Sequence, residues 1–394
     1  MNVKSKEYIK EQIFSALNYY YPKCMDLENG GYVGEMLDDG TIVDVKTKHL
    51  VATSRHIYTF SVGALLDGPE WCKEAAEHGL RFLQSYHLDK ENGGYFTELS
   101  GQEVKDSSKN AYGHAFVLLA ASMAAKAGIS GSEKVIEDVY QTMEKNFWEE
   151  EHRLYRDIAN ADWSNFSSYR GQNANMHSCE AMLTAFEATG DKKYLKRAHE
   201  IAESVVNKLA SQSGGWIWEH FDEQWNADFQ YSNETNNETR DEFRPIGFVP
   251  GHQFEWCKMF VWLDKYQNEP GLVEKAETLF KDTWNKAWDE KYGGLIYSLT
   301  QQFEMIDDDK NYWVQAEAIA ASAMLAARTG NEAYWDCYRQ VFQYSHDHFI
   351  DHKYGAWYAL LSRQNKKYSE LKSPATKADY HPISACYLAL REIK

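Results

Sequence analysis

The chain has no C-x-x-C pair. Its six cysteines (Cys24, Cys72, Cys179, Cys257, Cys337 and Cys386) are scattered, most of them in apolar stretches, which argues against a zinc ribbon or a dithiol redox site and predicts reduced, buried thiols. Proline is scarce, with seven among 394 residues, and no Pro/Ser/Gly-rich linker breaks the chain. Length alone would suggest two or three domains of ~150 residues, yet without a linker residues 1–394 are expected to form one. No apolar run approaches the ~20 residues of a membrane span, and the opening Met-Asn-Val-Lys-Ser-Lys-Glu lacks the apolar core of a signal peptide. A cytoplasmic location with no membrane partner is therefore expected. Basic tracts are also missing, and a net charge of −17 makes nucleic acid an unsuitable partner.

What the chain does have is repetition. Six polar residues, Arg55, His114, His177, His252, Gln315 and His381, each open an apolar stretch, at intervals of 59, 63, 75, 63 and 66 residues. Between them runs a second series of glycine-aromatic turns: Gly30-Gly31-Tyr32, Gly93-Gly94-Tyr95, Gly214-Gly215-Trp216, Gly293-Gly294-Leu295 and Tyr354-Gly355-Ala356. The third turn has lost its glycines and reads Arg153-Leu154-Tyr155. Both series stretch at the same place, which marks an Asn/Thr/Glu-rich insertion at about 228–244, expected to form a polar rim loop. Its Asn233-Glu234-Thr235 and Asn237-Glu238-Thr239 match glycosylation acceptors only incidentally in a chain without a secretion signal.

Each unit holds two kinds of helix. Ala115–Ala125, Ala181–Ala188 and Ala318–Ala327 are small and apolar nearly all round, as helices enclosed by protein are. Cys72–Tyr86, Lys134–Phe147, Lys193–Leu209 and Val273–Trp288 carry apolar residues at spacings of three and four with charge between, the pattern of surface helices. Six inner and outer pairs without polar capping repeats predict an all-α fold, a closed (α/α)6 barrel of helical hairpins. The six polar residues then converge on one rim of the inner ring, where helix starts offer unpaired N–H groups.

Imidazoles titrate near neutrality, so a pair can remove and return protons at physiological pH. His252 and His381 are the leading pair; Glu255 lies three residues after His252, and Glu180 three after His177, on the same helical face. Those H-x-x-E spacings also suit a metal, but Arg55 in the same ring opposes a cation, and neither metal nor other cofactor is expected. Tyr58, Tyr112, Trp256, Tyr312, Trp313 and Tyr380 flank the rim, and aromatic faces beside hydrogen-bonding groups suit a sugar.

The segments Arg170–Ala181 (R-G-Q-N-A-N-M-H-S-C-E-A), Pro250–Trp256 (P-G-H-Q-F-E-W), Tyr312–Ala318 (Y-W-V-Q-A-E-A), Asp379–Pro382 (D-Y-H-P) and Thr53–Tyr58 (T-S-R-H-I-Y) resemble the N-acylglucosamine 2-epimerase superfamily over essentially the whole chain. The resemblance implies an (α/α)6 barrel that moves protons on a sugar through an enediol without a metal. It further implies that His381 moves the proton at C1/C2 and that His252 is the second acid/base. Arg55, Tyr112, Asn175, His177, Glu255, Trp313, Gln315 and Glu317 would bind substrate. D-Y-H-P is similar to the aldose–ketose isomerase branch, and Lys377, Ala378 and Asp379 stand where disaccharide epimerases carry a tryptophan, which favours a monosaccharide such as mannose or lyxose. A monosaccharide 2-epimerase is the alternative. A sulfo-sugar isomerase, which would need further cations from Arg170, Arg244 or Lys377, a glycoside hydrolase, which would need paired carboxylates, and a non-catalytic sugar-binding protein rank below. Either a monomer or a homodimer fits such a barrel.

Overall fold

Alternating enclosed and amphipathic segments become twelve α-helices in the computed structural model, which describes residues 2–231, 243–269 and 271–393. They are α1 (Lys6–Tyr20), α2 (Leu50–Leu65), α3 (Trp71–Phe82), α4 (Ala111–Lys126), α5 (Ser132–Asn146), α6 (Gln172–Thr189), α7 (Lys192–Ser204), α8 (Pro250–Gln267), α9 (Leu272–Ala287), α10 (Tyr312–Thr329), α11 (Glu332–His348) and α12 (Tyr380–Glu392). The even-numbered helices pack in sequence, and α12 returns to α2. Each odd-numbered helix lies against this inner ring, with α1 beside α12, so the two ends of the chain complete the circle. This is the expected (α/α)6 barrel.

Burial explains the two helix types. In α4 every residue from Ala111 to Ala124 is buried, whereas α5 buries mainly one stripe formed by Val135, Ile136, Val139, Tyr140 and Met143. Small residues let the inner helices approach one another, and the outer helices turn their charge to solvent. The expected outer helices at Cys72–Tyr86 and Lys193–Leu209 are α3 and α7, each continued by a π-helical turn, Leu83–His87 and Val205–Leu209.

Short antiparallel strands lace one end of the barrel. Five segments that lead into inner helices, Thr47–His49, Lys109–Asn110, Arg170–Gly171, Lys310–Asn311 and Leu371–Ser373, each pair with a strand of the adjacent unit, and a Phe248–Leu299 bridge supplies the remaining link. The belt closes between Leu371–Ser373 and Glu35–Leu37.

Five ion pairs, four of them buried and Arg170–Glu149 partly so, lock it: Lys48–Asp26 at 2.7 Å, Lys109–Asp89 at 2.8 Å, Arg170–Glu149 at 2.8 Å, Lys310–Asp289 at 3.0 Å and Lys372–Asp351 at 2.5 Å. In the four Asp pairs the carboxylate also accepts backbone N–H bonds from the turn that follows, as Asp89 does from Glu91 and Asn92. A side chain capping its own turn in this way replaces the hydrogen bonds that the buried backbone loses to water. The turn series also has one register correction. Gly355 and Ala356 both take left-handed φ values, 81° and 61°, so they match Gly93-Gly94, and Trp357 is the aromatic residue. Of the expected rim insertion, residues 232–242, with both acceptor motifs, lie outside the described residues.

Candidate active site

The first turns of the inner helices carry two rings of polar side chains, not one. In the outward ring, side chains reach the backbone of the glycine turns. His114 accepts from the Tyr95 N–H through Nε2 at 3.0 Å, and its Nδ1 lies 2.7 Å from the Asn110 carbonyl. A carbonyl can only accept, so Nδ1 carries the proton and the ring is neutral. Burial pushes its pKa down to about 4. Asn175 does the same for Tyr155 N–H and C=O at 2.7 and 3.0 Å, Gln253 for Ile217 at 2.9 and 2.9 Å, and Gln315 for Leu295 at 2.9 and 2.8 Å. Asp379 accepts from Trp357 N–H at 2.8 Å, and His56 packs on Tyr32 at the same register, 4.6 Å between rings. His114, Asn175 and Gln315 therefore do not meet the expected rim constellation. Their polar atoms are committed to turns outside the inner ring, and none lines the cavity.

The inward ring lines a cavity of about 260 Å³ at the strand-laced end, below the roughly 300–1,000 Å³ of drug-sized ligand sites and suited to one sugar ring. Arg55, Tyr112, His177, His252, Glu255, Trp313 and His381 all reach it, joined by Asn173, Phe243, Tyr297, Tyr312, Thr376 and Lys377. Of the expected flanking aromatics, Tyr112, Tyr312 and Trp313 line it. Tyr58, Trp256 and Tyr380 lie behind, bonded to Ser384, Gln172 and Glu180.

His381 is held from behind by Glu317, whose Oε1 lies 2.7 Å from Nδ1, and its Nε2 lies 3.4 Å from the Arg55 guanidinium. With Nδ1–H donating to the carboxylate, Nε2 keeps its lone pair. Burial, reinforced by Arg55, pushes the imidazole pKa well below its usual value, which makes it an unprotonated base at neutral pH. Glu317 itself is absent from the cavity wall, so the structure makes it a support for His381 and not a lining group. His252 has a separate support: Nδ1 lies 2.9 Å from Glu219 Oε1, and the Gln172 amide donates to Glu219 Oε2 at 2.8 Å while accepting from Trp256 at 2.8 Å. The Trp313 ring lies beside both imidazoles, 5.0 Å from His252 and 5.6 Å from His381. Gly251 makes this possible, because a Cβ there would sit 2.1 Å from the indole.

Arg55 donates to the Thr376 carbonyl at 2.8 Å and to the Tyr112 hydroxyl at 3.0 Å. Of the cations that an anionic sugar would draw on, Arg170 is paired with Glu149 and Lys377 with Asp379, and the Arg244 guanidinium lies over the Tyr169 ring, 4.0 Å from its centre.

Behind the wall lies a buried charge cluster that the repeat pattern did not reveal. Lys258 Nζ is 2.7 Å from Glu317, 3.1 Å from Glu180 and 3.7 Å from Glu255. Glu255 has no hydrogen bond to either oxygen among the described residues, and burial, together with the neighbouring Glu317 charge, raises its pKa well above the carboxylate range. His177, Glu180 and Glu255, and likewise Glu255, Glu317 and His381, bring ligand atoms within 4.8 Å of one another, as metal sites do. The Lys258 ammonium already occupies the space between the carboxylates and opposes a second cation there. Lys258 was legible as a lysine among the apolar residues of α8, at i+6 from His252; Glu219 and Gln172 stand at no position of the polar series, although Gln172 falls within the Arg170–Ala181 segment.

The N-acylglucosamine 2-epimerase (GlcNAc 2-epimerase) family model matches residues 31–385. A D-mannose isomerase from Marinomonas mediterranea is 42% identical over 390 residues, covering 99% of this chain and 98% of that protein. The crystal structure of a D-mannose isomerase superposes with a TM-score of 0.95 at 41% identity, covering 99% of each chain. The cellobiose 2-epimerase of Bacillus thermoamylovorans shares the fold, with a TM-score of 0.85 at 20% identity over 98% of this chain and 100% of its own. Among the described residues no helix is long and apolar enough to cross a membrane.

Proposed function

Because the chain belongs to the N-acylglucosamine 2-epimerase family, we propose that its inward ring works as an aldose–ketose isomerase site for a monosaccharide, with D-mannose and D-fructose as the pair. The observation that carries this reading is the two imidazoles, each fixed through Nδ1 by a buried glutamate and flanking one indole in a cavity of one-ring size.

The chemistry then follows from positions. An open-chain aldose has an acidified proton at C2, and His381 Nε2, unprotonated and facing the cavity, removes it. The electron pair moves to the carbonyl and gives a cis-enediolate. Donors at the developing oxygens are Arg55 and Tyr112, preorganised on each other at 3.0 Å, which stabilise the charge that builds there. The imidazolium of His381, whose Nε2 proton exchanges with solvent, delivers a proton to C1, and His252 shuttles protons at the sugar oxygens, from O2 to O1 in the enediol and during ring opening and closure. His177, Glu255 and Trp313 hold the sugar. The balance is closed: one proton leaves C2 and one arrives at C1, a second passes from O2 to O1, and no oxidant or reductant is consumed.

Proton NMR of the EDTA-treated protein with D-mannose in D2O tests this reading. Fructose carrying deuterium at C1 is the expected product. Glucose deuterated at C2 as the primary product would replace the isomerase by a 2-epimerase, since that outcome requires protonation of the same enediol from the opposite face of C2.

A further inference from the structure

Lys258 lies on α8, outside the cavity wall, fully buried. Two of its three carboxylate neighbours divide their oxygens in a regular way. Glu317 gives Oε2 to Lys258 at 2.7 Å and Oε1 to His381 Nδ1 at 2.7 Å. Glu180 gives Oε1 to Lys258 at 3.1 Å, and its Oε2 takes His177 Nδ1 at 3.2 Å and the Tyr380 hydroxyl at 2.7 Å. Each of these two carboxylates is thus a bridge, ammonium on one side and imidazole on the other, and the bridges start from different helices, α10 and α6. A carboxylate with only one fixed oxygen can rotate about its last torsion, whereas one anchored at both has a single direction in which to present its lone pair. Burial alone would raise the Glu180 pKa, but Lys258 and the bonds from His177 and Tyr380 outweigh it and leave the group ionised.

We propose that Lys258 is a positioning residue for the reaction: its ammonium group, out of reach of substrate, orients Glu317 and Glu180 and through them the imidazoles of His381 and His177. Its ammonium group lies within 4 Å of all three carboxylates, Glu317, Glu180 and Glu255. The same geometry assigns it no part in holding His252, whose ring rests on Glu219, Gln172 and Trp256. The inference rests on the isomerase reading for its kinetics, but not for its structural consequence.

The test uses Lys258→Met, which keeps the length and apolar stem of the side chain, and Lys258→Arg, which keeps the charge. In the mannose assay Lys258→Met is expected to lower kcat by roughly 10- to 100-fold, the usual loss when a group supporting a first-contact ligand is removed, with KM within about threefold. Lys258→Arg is expected to recover part of kcat. Turnover by the unaltered protein in the same assay is the control for the isomerase reading itself. Independently of any substrate, imidazole carbon–proton NMR of Lys258→Met is expected to move the His381 and His177 signals and leave that of His252 in place. If Lys258→Met fails to fold, Lys258→Arg carries the test, with displaced His381 and His177 signals and a kcat loss at constant KM. A folded variant with unchanged kcat and unmoved His381 and His177 signals would overturn the proposal, as would equal displacement of all three histidines.

Discussion

His114 and His381 are both buried and stand within four residues of the start of an inner helix, yet they do opposite things. His114 faces outward and has both ring nitrogens committed to backbone, so its neutral ring works as part of the fold. His381 faces inward with one nitrogen on Glu317 and the other toward the cavity, so its ring can accept a proton. The difference lies in helical phase. On four of these helices a clamp and a cavity residue are two apart, Tyr112 and His114, Asn175 and His177, Gln253 and Glu255, and Trp313 and Gln315, and Asp379 precedes His381 by the same step at the start of α12. Two residues turn the side chain by ~200° on a helix of 3.6 residues per turn. Similar residue types, near the same turn of sister helices, thus serve architecture on one face and, in the function proposed above, chemistry on the other.

The comparison can be broken from either side. The largest expected effect belongs to His381→Asn, which should lower kcat by about 10³-fold or more, since a positioned general base contributes ~10²–10⁴-fold, while the thermal midpoint stays within a few degrees; a paired activity and melting measurement checks both. His252→Asn should cost roughly 10²-fold in kcat by the same logic, again without loss of fold, because Glu219 keeps its bond from Gln172.

On the outward face the signs reverse. Gln315→Ala should leave kcat within a few-fold and destabilise the protein by about 2–4 kcal/mol in urea unfolding, because the Leu295 N–H and C=O lose their partner inside the protein. A collapse of kcat in a well-folded Gln315→Ala would return Gln315 to the binding site.

The smallest effect is a pH slope. Burial lowers His114 and His177 to about 4, and His49, His87 and His220 likewise. Unfolded, these rings take a proton near pH 6.5, so between about 6.5 and 4 the unfolded chain binds more protons than the folded one. Stability is full above that window and falls as pH drops through it. His114→Gln, which installs the amide used at Gln253 and Gln315, should flatten the slope by at most ~1.4 kcal/mol per pH unit; urea titrations at pH 7 and 5 measure it.

The barrel was legible because its periodicity is carried by composition: small residues inside, stripes outside, glycines where φ must be positive. The site was half legible. Arg55, Tyr112, His177, His252, Glu255, Trp313 and His381 were picked out and reach the cavity. His114, Asn175 and Gln315 were picked out with them because a repeat reports position along the chain and not direction around a helix axis. The cations Lys48, Lys109, Arg170, Lys310 and Lys372 recur with nearly the same period, but charged residues read as solvated until the structure buries them beside an acid. Glu219, which supports His252, lies just before the His220–Phe221 strand, 33 residues away in sequence, and only tertiary structure brings it there.

The most direct test of the two-faced ring is deuterium uptake at C2 of D-mannose in D2O, followed side by side for the unaltered protein, His381→Asn and Gln315→Ala. Uptake with the unaltered protein and Gln315→Ala, and none with His381→Asn, is the predicted result. Exchange that survives in His381→Asn, or vanishes in a folded Gln315→Ala, would contradict the assignment of chemistry to the inward face.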